Sequence, residues 1–401
     1  MVIKIGNLRQ ESDGDIVNLS AQISSNDGNR DMVFRRYSNV AGLVEAEPRP
    51  DAFLMMILLH AMKTGQNIWI EDPVDPLLLF ELRGDVQNLL KLTFSELVRI
   101  KIEAEAREPH EIIQPLEHVA TGFSGGVDSM QLIHRKQNDE SLPNDYQVTM
   151  LMHHDVGSVT QRDQYLVNLE HSKQFANDFG LAFAGASCET TPYYKGFSFL
   201  ETHCLRTTAA TLSLWPLFRR YLFASGTDMQ VGLPSLPTRV LDAANPMLLP
   251  LLRTKENDFK EYGSGFCRLE KMLEVLANDS LRSQINVCAR VSHDNSVRLN
   301  CGRCFKCFPF LLVAEAVGRL DQLDRNFDLH SYQHHKPRCF ANFFTLALGP
   351  KKSQTNRQVA RFLRIHAKSV FPISIRALLR VVPDPISDFE VDELLEAFGS
   401  K

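Results

Sequence analysis

Two short stretches of the chain combine residue types and spacings that could do chemistry. The first is Ala120-Thr121-Gly122-Phe123-Ser124-Gly125-Gly126-Val127-Asp128-Ser129, where a short apolar run from His118 gives way to a helical pattern. Paired glycines let the backbone turn tightly and aim successive N–H groups at one point. A helix starting at Asp128 or Ser129 adds its own free N–H groups and the positive end of its dipole. The expected result is an anion cradle. Ser124 and Ser129 would add hydroxyl donors, and Asp128 would either hold Mg2+ or cap the helix. No Lys follows Gly126, so the loop is not that of ordinary P-loop ATPases.

The second stretch is Cys301-Gly302-Arg303-Cys304-Phe305-Lys306-Cys307, with three thiols in seven residues. Two-residue spacings let one tight turn direct all three sulfurs at a point about 2.3 Å away, the Zn–S distance of a tetrahedral Zn2+ site. A closed shell needs a fourth ligand. Cys288, ending a short strand expected over 285–288, is the preferred one, with His293 as its competitor. Cys188, Cys204, Cys267 and Cys339 are scattered and read as packing residues.

Ser124 through Ser129 resembles the SGGxDS signature of the N-type ATP pyrophosphatases, which include GMP synthetase, NAD synthetase, asparagine synthetase and 7-cyano-7-deazaguanine synthase. Members of that superfamily grip pyrophosphate with this loop, on a HUP-like doubly wound sheet, while AMP passes to a substrate oxygen. A nucleotide loop followed by C…CxxCxxC is similar to 7-cyano-7-deazaguanine synthase from about residue 118 to about residue 320. That enzyme converts a carboxylated deazaguanine, ammonia and ATP to the nitrile, and carries structural Zn2+ on four cysteines in this order. Relatives of it also occur within bacterial anti-phage gene clusters. This chain departs from it in the longer gap between Cys288 and Cys301, in its first 114 residues and in a basic C-terminal stretch.

The resemblance extends to single residues. Gln161-Arg162 loosely matches a Gly-Gln-Arg of the superfamily, which would place Arg162 at the nucleotide. Ser225, opening Ser225-Gly226-Thr227-Asp228, could face the nucleotide or belong to a plain turn. Superfamily members set basic residues before the cysteines against phosphate, which points to Lys255 and Lys271. His203 reads as a structural histidine. The implied reaction is adenylation of a small-molecule or nucleobase-like substrate with pyrophosphate release, followed by attack of ammonia or an amine, using ATP, Mg2+ and Zn2+. Catalytic roles fall to Asp128, Ser124 and Lys255, and nucleotide contacts to Ser124, Gly125, Gly126, Val127, Asp128, Ser129, Arg162, Ser225 and Lys271. The rivals are an RNA sulfurtransferase, whose cysteines would hold Fe–S or a persulfide, and a nucleotide-binding subunit without catalysis.

The elements that must position these residues fall into three parts. Residues 1–114 mix strand and helix signals and read as a small α/β module for partner or substrate contact. Strands are expected at 3–8, 16–23, 67–70 and 97–104, and helices at 52–62 and 77–92. Residues 115–330 repeat a strand-then-helix rhythm, with strands at 118–123, 148–152, 181–186 and 221–224, which predicts a parallel sheet wound on both faces by helices. Residues 331–401 look helical. From His334 to Arg380 there are ten Lys or Arg and no acid, with Phe340, Phe343, Phe344, Phe362 and Phe371 interspersed. That pattern suits RNA backbone or, equally, an amphipathic helix with a solvated face. The net charge of −4 gives no global pull toward nucleic acid. The longest apolar run, Phe53 to Leu59, is too short to span a bilayer, and the start lacks a signal-peptide pattern, so a cytoplasmic protein without membrane contact is expected.

Overall fold

The computed structural model describes residues 1–26, 28–108, 115–138, 143–158, 162–232, 239–288, 299–349, 353–366, 371–385, 391, 395, 396 and 398. Gln161 and His293 lie outside them. The chain forms two compact units. The first comprises Met1–Phe123, Lys136–Ser225 and Gly232–Tyr262, and the second Ser124–Arg135, Gly226–Val231 and Gly263–Lys401.

The first unit holds a sheet of ten strands. These are β1 (Val2–Asp13), β2 (Ile16–Ser25), β3 (Gly28–Ser38), β4 (Asn67–Ile70), β5 (Ile102–Glu103), β6 (Val119–Gly122), β7 (Met150–Met152), β8 (Ala182–Ser187), β9 (Arg220–Ala224) and β10 (Asp258–Tyr262). Their order is β10-β9-β6-β7-β8-β3-β2-β1-β4-β5. Strands β1 to β3 form an antiparallel meander, and β3 pairs antiparallel with β8, from Arg35 opposite Ser187 to Ser38 opposite Ala184. Strands β1 to β5 therefore continue the same sheet, where the sequence had suggested a separate module. The joining strand β3 is hard to read because its inward positions are Met32, Phe34 and the buried Arg36. Arg36 is tolerated there because each of its three nitrogens donates, to Val17 O (3.3 Å), Ser213 O (2.8 Å) and Gln10 Oε1 (2.6 Å).

Strands β6 to β10 are all mutually parallel. Outward from β6 lie β7 and β8 on one side and β9 and β10 on the other, the order 3-2-1-4-5. The carboxyl end of β6 is thus the point where the winding reverses, and in such sheets ligands bind beyond the strand ends there. The chain leaves β6 through Phe123 directly into Ser124.

Helix α1 (Asp51–Thr64) is apolar on nearly every side and packs in the core, closed by Gly65 in the left-handed region (φ 68°). The single helix expected over 77–92 is two, α2 (Pro76–Arg83) and α3 (Asp85–Thr93), broken at Gly84. The strand expected over 97–104 shrinks to β5. Helices α4 (Val127–Asn138), α5 (Arg162–Asp178) and α6 (Phe199–Leu212) follow β6, β7 and β8. The short turns α7 (Met229–Gly232) and α8 (Asn245–Leu248) lie between β9 and β10. A buried ion network braces the first unit. Arg107 pairs with Asp51 (2.7 Å), Arg49 pairs with Glu256 (3.0 Å), and Asp51 accepts from the Asp75 N–H (2.8 Å).

The second unit holds α9 (Arg268–Ala277), α10 (Asp279–Arg282), α11 (Cys307–Ala316), α12 (Leu329–Leu348), α13 (Gln354–His366) and α14 (Ile373–Val381). Phe340, Phe343, Phe344, Phe362 and Phe371 are all buried in it. They form its core with Phe308 and are not free to stack on bases. Lys336 of the basic stretch pairs with Glu315 (2.6 Å), Arg364 pairs with Asp384, and Arg357 is buried, donating to Ala347 O (3.0 Å). Among the described residues no helix is long and apolar enough to cross a membrane.

Two adjacent histidines after β7 make the fold acid-labile. His153 donates from Nδ1 to Phe123 O (3.0 Å), and His154 accepts the Ala186 N–H (3.2 Å) while its Nε2 meets Thr211 Oγ1 (3.1 Å). Burial lowers their pKa values from 6.5 to about 4 and about 3. In the unfolded chain both protonate near 6.5, so below that pH the unfolded state holds more protons. The stability that the neutral pair contributes is complete above pH 6.5 and is lost as pH falls toward about 4. Two such protons would give a slope of up to about 2.7 kcal/mol per pH unit. Chemical denaturation at stepped pH should show this decline. His154→Gln should roughly halve its slope, and an unchanged slope would contradict the assignment.

Candidate nucleotide loop and metal centre

The loop of the second unit is built as its residue types suggest. Gly125 adopts φ 74°, where only glycine is relaxed. Ser124 Oγ accepts the Gly126 N–H (3.3 Å), and the first helical bond of α4 runs from Met130 N to Gly126 O (3.0 Å). The N–H groups of Val127, Asp128 and Ser129 precede that bond and have no partner within the helix. Ser129 donates its hydroxyl proton to Gly126 O (3.1 Å), so the hydroxyl donor still on offer is that of the exposed Ser124.

Asp128 does not cap the helix. Arg268 Nη1 stands 2.7 Å from its Oδ2, and Lys271 Nζ stands 3.5 Å from its Oδ1. The two cations are three residues apart at the start of α9, so they share one helical face. Lys271 is nearly fully buried, and Asp128 Oδ1 is buried without a hydrogen bond among the described residues. Gly263, at φ 90°, leaves room for this group, since a Cβ there would lie 3.3 Å from Gln131 Oε1 and 3.5 Å from Lys271 Nζ. A turn of unpaired N–H groups with two fixed cations beside it can take a polyanion. The orphaned Asp128 Oδ1 fits a Mg2+ ligand, since Mg2+ is commonly bound through one or two carboxylates and substrate phosphates. Sequence reading had chosen Lys271 but not Arg268, Gln131 or Gly263. The three-residue spacing from Arg268 to Lys271 was the available signal.

Ser225, Arg162 and Lys255 lie in the first unit. Ser225 follows β9 and is buried, at the sheet edge where β6 ends, and its N–H donates to Tyr262 O (2.9 Å). Asp228 accepts the Gln230 N–H (2.8 Å), a local turn. Arg162 opens α5 and stands 3.7 Å from Asp155, largely exposed. Lys255 is a correction. It precedes β10, whose first residue Asp258 pairs with Arg220 at the start of β9, so Lys255 lies at the edge where the parallel strands begin. Its N–H donates to Asp75 Oδ2 (3.1 Å), which makes it part of the bracing turn and removes it from the candidate catalytic group. His203 meets Asp242 (2.9 Å), a structural pairing.

Cys288, Cys301, Cys304 and Cys307 bring their sulfurs within 4.8 Å of one another and could hold a metal ion. Sulfurs on a tetrahedral Zn2+ stand about 3.8 Å apart. Gly302 turns the chain at φ 69°, and a Cβ there would strike Asp328 O at 2.3 Å. The Cys307 N–H donates to Cys304 Sγ (3.4 Å), starting α11 at the site. The hydrogen bond between Cys288 and Cys301 lowers the Cys301 pKa and raises that of Cys288, and burial pushes Cys307 up. Residues 285–288 are not the expected strand. The fully buried Asn300 side chain holds them instead, accepting from Val287 N (2.8 Å) and Cys288 N (3.0 Å) and donating to Ile285 O (2.9 Å) and Asn326 O (3.2 Å). Within that segment the Asn286 N–H donates to Gly125 O (2.8 Å), tying the metal-ligand segment to the loop.

No family model, no curated protein and no solved structure matches this chain.

Asn300→Ala should cost about 2–4 kcal/mol, since it strips four hydrogen bonds, two of them buried, and leaves backbone groups unpaired. Cys288→Ser should lower both bound metal and melting temperature. Elemental analysis and thermal unfolding check both, and normal metal content with normal stability in Cys288→Ser would contradict its place as the fourth ligand.

Proposed function

We propose that the chain is an adenylating enzyme that splits ATP between its α and β phosphates and passes AMP to a substrate oxygen for attack by ammonia or an amine. The observation that carries this reading is the convergence of the loop Ser124–Gly126, the N-terminus of α4 and the cations Arg268 and Lys271 on Asp128. The resemblance of Ser124–Ser129 to the SGGxDS signature and the strand order around β6 support it.

The residues have separate roles. The N–H groups of Val127, Asp128 and Ser129 bind phosphate oxygens, and Ser124 Oγ adds a donor. Arg268 and Lys271 neutralise the charge that gathers on the departing pyrophosphate, which is where preorganised donors lower the barrier most. Asp128 would hold Mg2+, which supplies charge stabilisation on the phosphates when bound. Phosphoryl-type transfer needs little covalent help, so positioning by this loop accounts for most of the catalysis. Zn2+ is the metal proposed for the four cysteines, in a structural role, because a closed thiolate shell leaves no position for water or substrate. A sulfurtransferase would need a cysteine outside such a shell, and nothing at the site favours that reading.

Calorimetry of Mg-ATP binding tests the site. Arg268→Ala and Asp128→Asn should each weaken binding at least tenfold while melting within a few degrees of the wild type. Equal binding in all three chains would refute the assignment. Anaerobically purified protein should carry one zinc per chain, and iron with labile sulfide would instead revive thiolation.

A further inference from the structure

The parallel half of the sheet has a second unusual feature at its carboxyl edge. Arg206 sits in the second turn of α6 and is only 5% exposed. Its Nε donates to Thr202 Oγ1 (2.9 Å) and its Nη1 to Thr190 Oγ1 (3.0 Å) and Val156 O (3.4 Å). Val156 follows β7 and Thr190 follows β8, so the guanidinium lies where both strands end. It rests over the Tyr194 ring, 4.1 Å from the centroid. Among the described residues no carboxylate lies within ion-pair distance of it, and its Nη2 makes no hydrogen bond.

Buried charges are ordinarily paired. The other buried arginines of this unit obey that rule or replace it. Arg49 has Glu256, Arg107 has Asp51, and Arg36 spends every nitrogen on an acceptor. Arg206 does neither. The acids near it in sequence or space are committed elsewhere. Glu189 accepts the Thr191 N–H (2.9 Å), Asp155 faces Arg162 (3.7 Å), and Asp242 holds His203 (2.9 Å). Nor do its neutral acceptors depend on it, because Thr190 Oγ1 itself donates to Val156 O (3.1 Å) and Thr202 Oγ1 donates to Ser198 O (3.0 Å). Gly157, at φ 93°, lets the chain pass close to the guanidinium, since a Cβ there would come to 3.0 Å from Nη1 and 3.1 Å from Thr190 Oγ1. The interior thus holds this cation by neutral acceptors and by the Tyr194 and Phe199 rings, with no counter-charge among the described residues.

We propose that Arg206 anchors an oxyanion-binding subsite that takes the carboxylate or phosphate group of a small molecule at the ends of β7 and β8. Its planar fork suits either group, with Nη2 as the unspent donor. This subsite does not depend on the loop at Ser124, so it stands or falls apart from the adenylation reading.

The test is thermal unfolding of the full chain with potassium phosphate, pyrophosphate or benzoate, at ionic strength held constant with chloride. At least one anion should raise the midpoint by about 2 °C or more near saturation. A response to phosphate or pyrophosphate alone marks a phosphate-bearing ligand, and a response to benzoate alone marks a carboxylate. Arg206→Gln should abolish the response and, without anion, melt no lower than the wild type. Arg206→Lys, which keeps the charge but loses the fork, should weaken the response about tenfold. Arg268→Ala should leave it in place. The proposal is overturned if no anion acts, if Arg206→Gln still responds, or if Arg268→Ala removes the response and so assigns it to the loop. It is also overturned if both Arg206 variants melt far below the wild type without anion, which would make Arg206 a structural clamp.

Discussion

The candidate site depends on one electrostatic arrangement, the carboxylate of Asp128 held between Arg268 and Lys271. Placed alone beside a turn of free N–H groups, two cations would repel each other. Asp128 balances them and fixes where they point. Under the proposed function an entering polyphosphate would compete for the same cations, and a divalent ion that came with it would take up the carboxylate they release. The charges would then be in place before the ligand arrived, leaving little reorganisation for the reacting state.

Around that arrangement the second unit is organised by substitutes for ordinary secondary structure. Residues 285–288 have no strand to pair with, and the amide of Asn300 takes the place of a ladder. The segment then serves two ends. Cys288 faces the other three thiols, and two residues earlier Asn286 fixes the carbonyl of Gly125. Whatever orders the cysteines therefore also steadies the loop, through a path of two hydrogen-bonded asparagines. A structural metal would act on the loop by that route without touching it.

The loop and the cysteines were legible in the sequence because each is a local pattern. Paired glycines and two-residue cysteine spacings constrain a few consecutive residues, and those constraints survive folding. The parallel strands were legible for the same reason. Strands β3 and β10 were not, because β3 turns Arg36 inward and β10 is a charge-rich edge strand, Asp-Phe-Lys-Glu-Tyr. Missing β3 hid the pairing with β8 that draws residues 1–114 into the common sheet. Lys255 was misjudged because its place before or after a strand decides which edge it occupies, and β10 had not been seen. The basic C-terminal stretch was ambiguous, suiting RNA backbone or an amphipathic helix, and its phenylalanines prove to be core while Arg357 is itself buried.

The account turns on which bond of ATP is broken. Incubation of the chain with Mg-ATP and a small-molecule extract, followed by chromatography of the nucleotide products, addresses it most directly. Adenylation predicts AMP and pyrophosphate in equal amounts, formed only when the extract supplies an acceptor. ADP and phosphate as the sole products would contradict it.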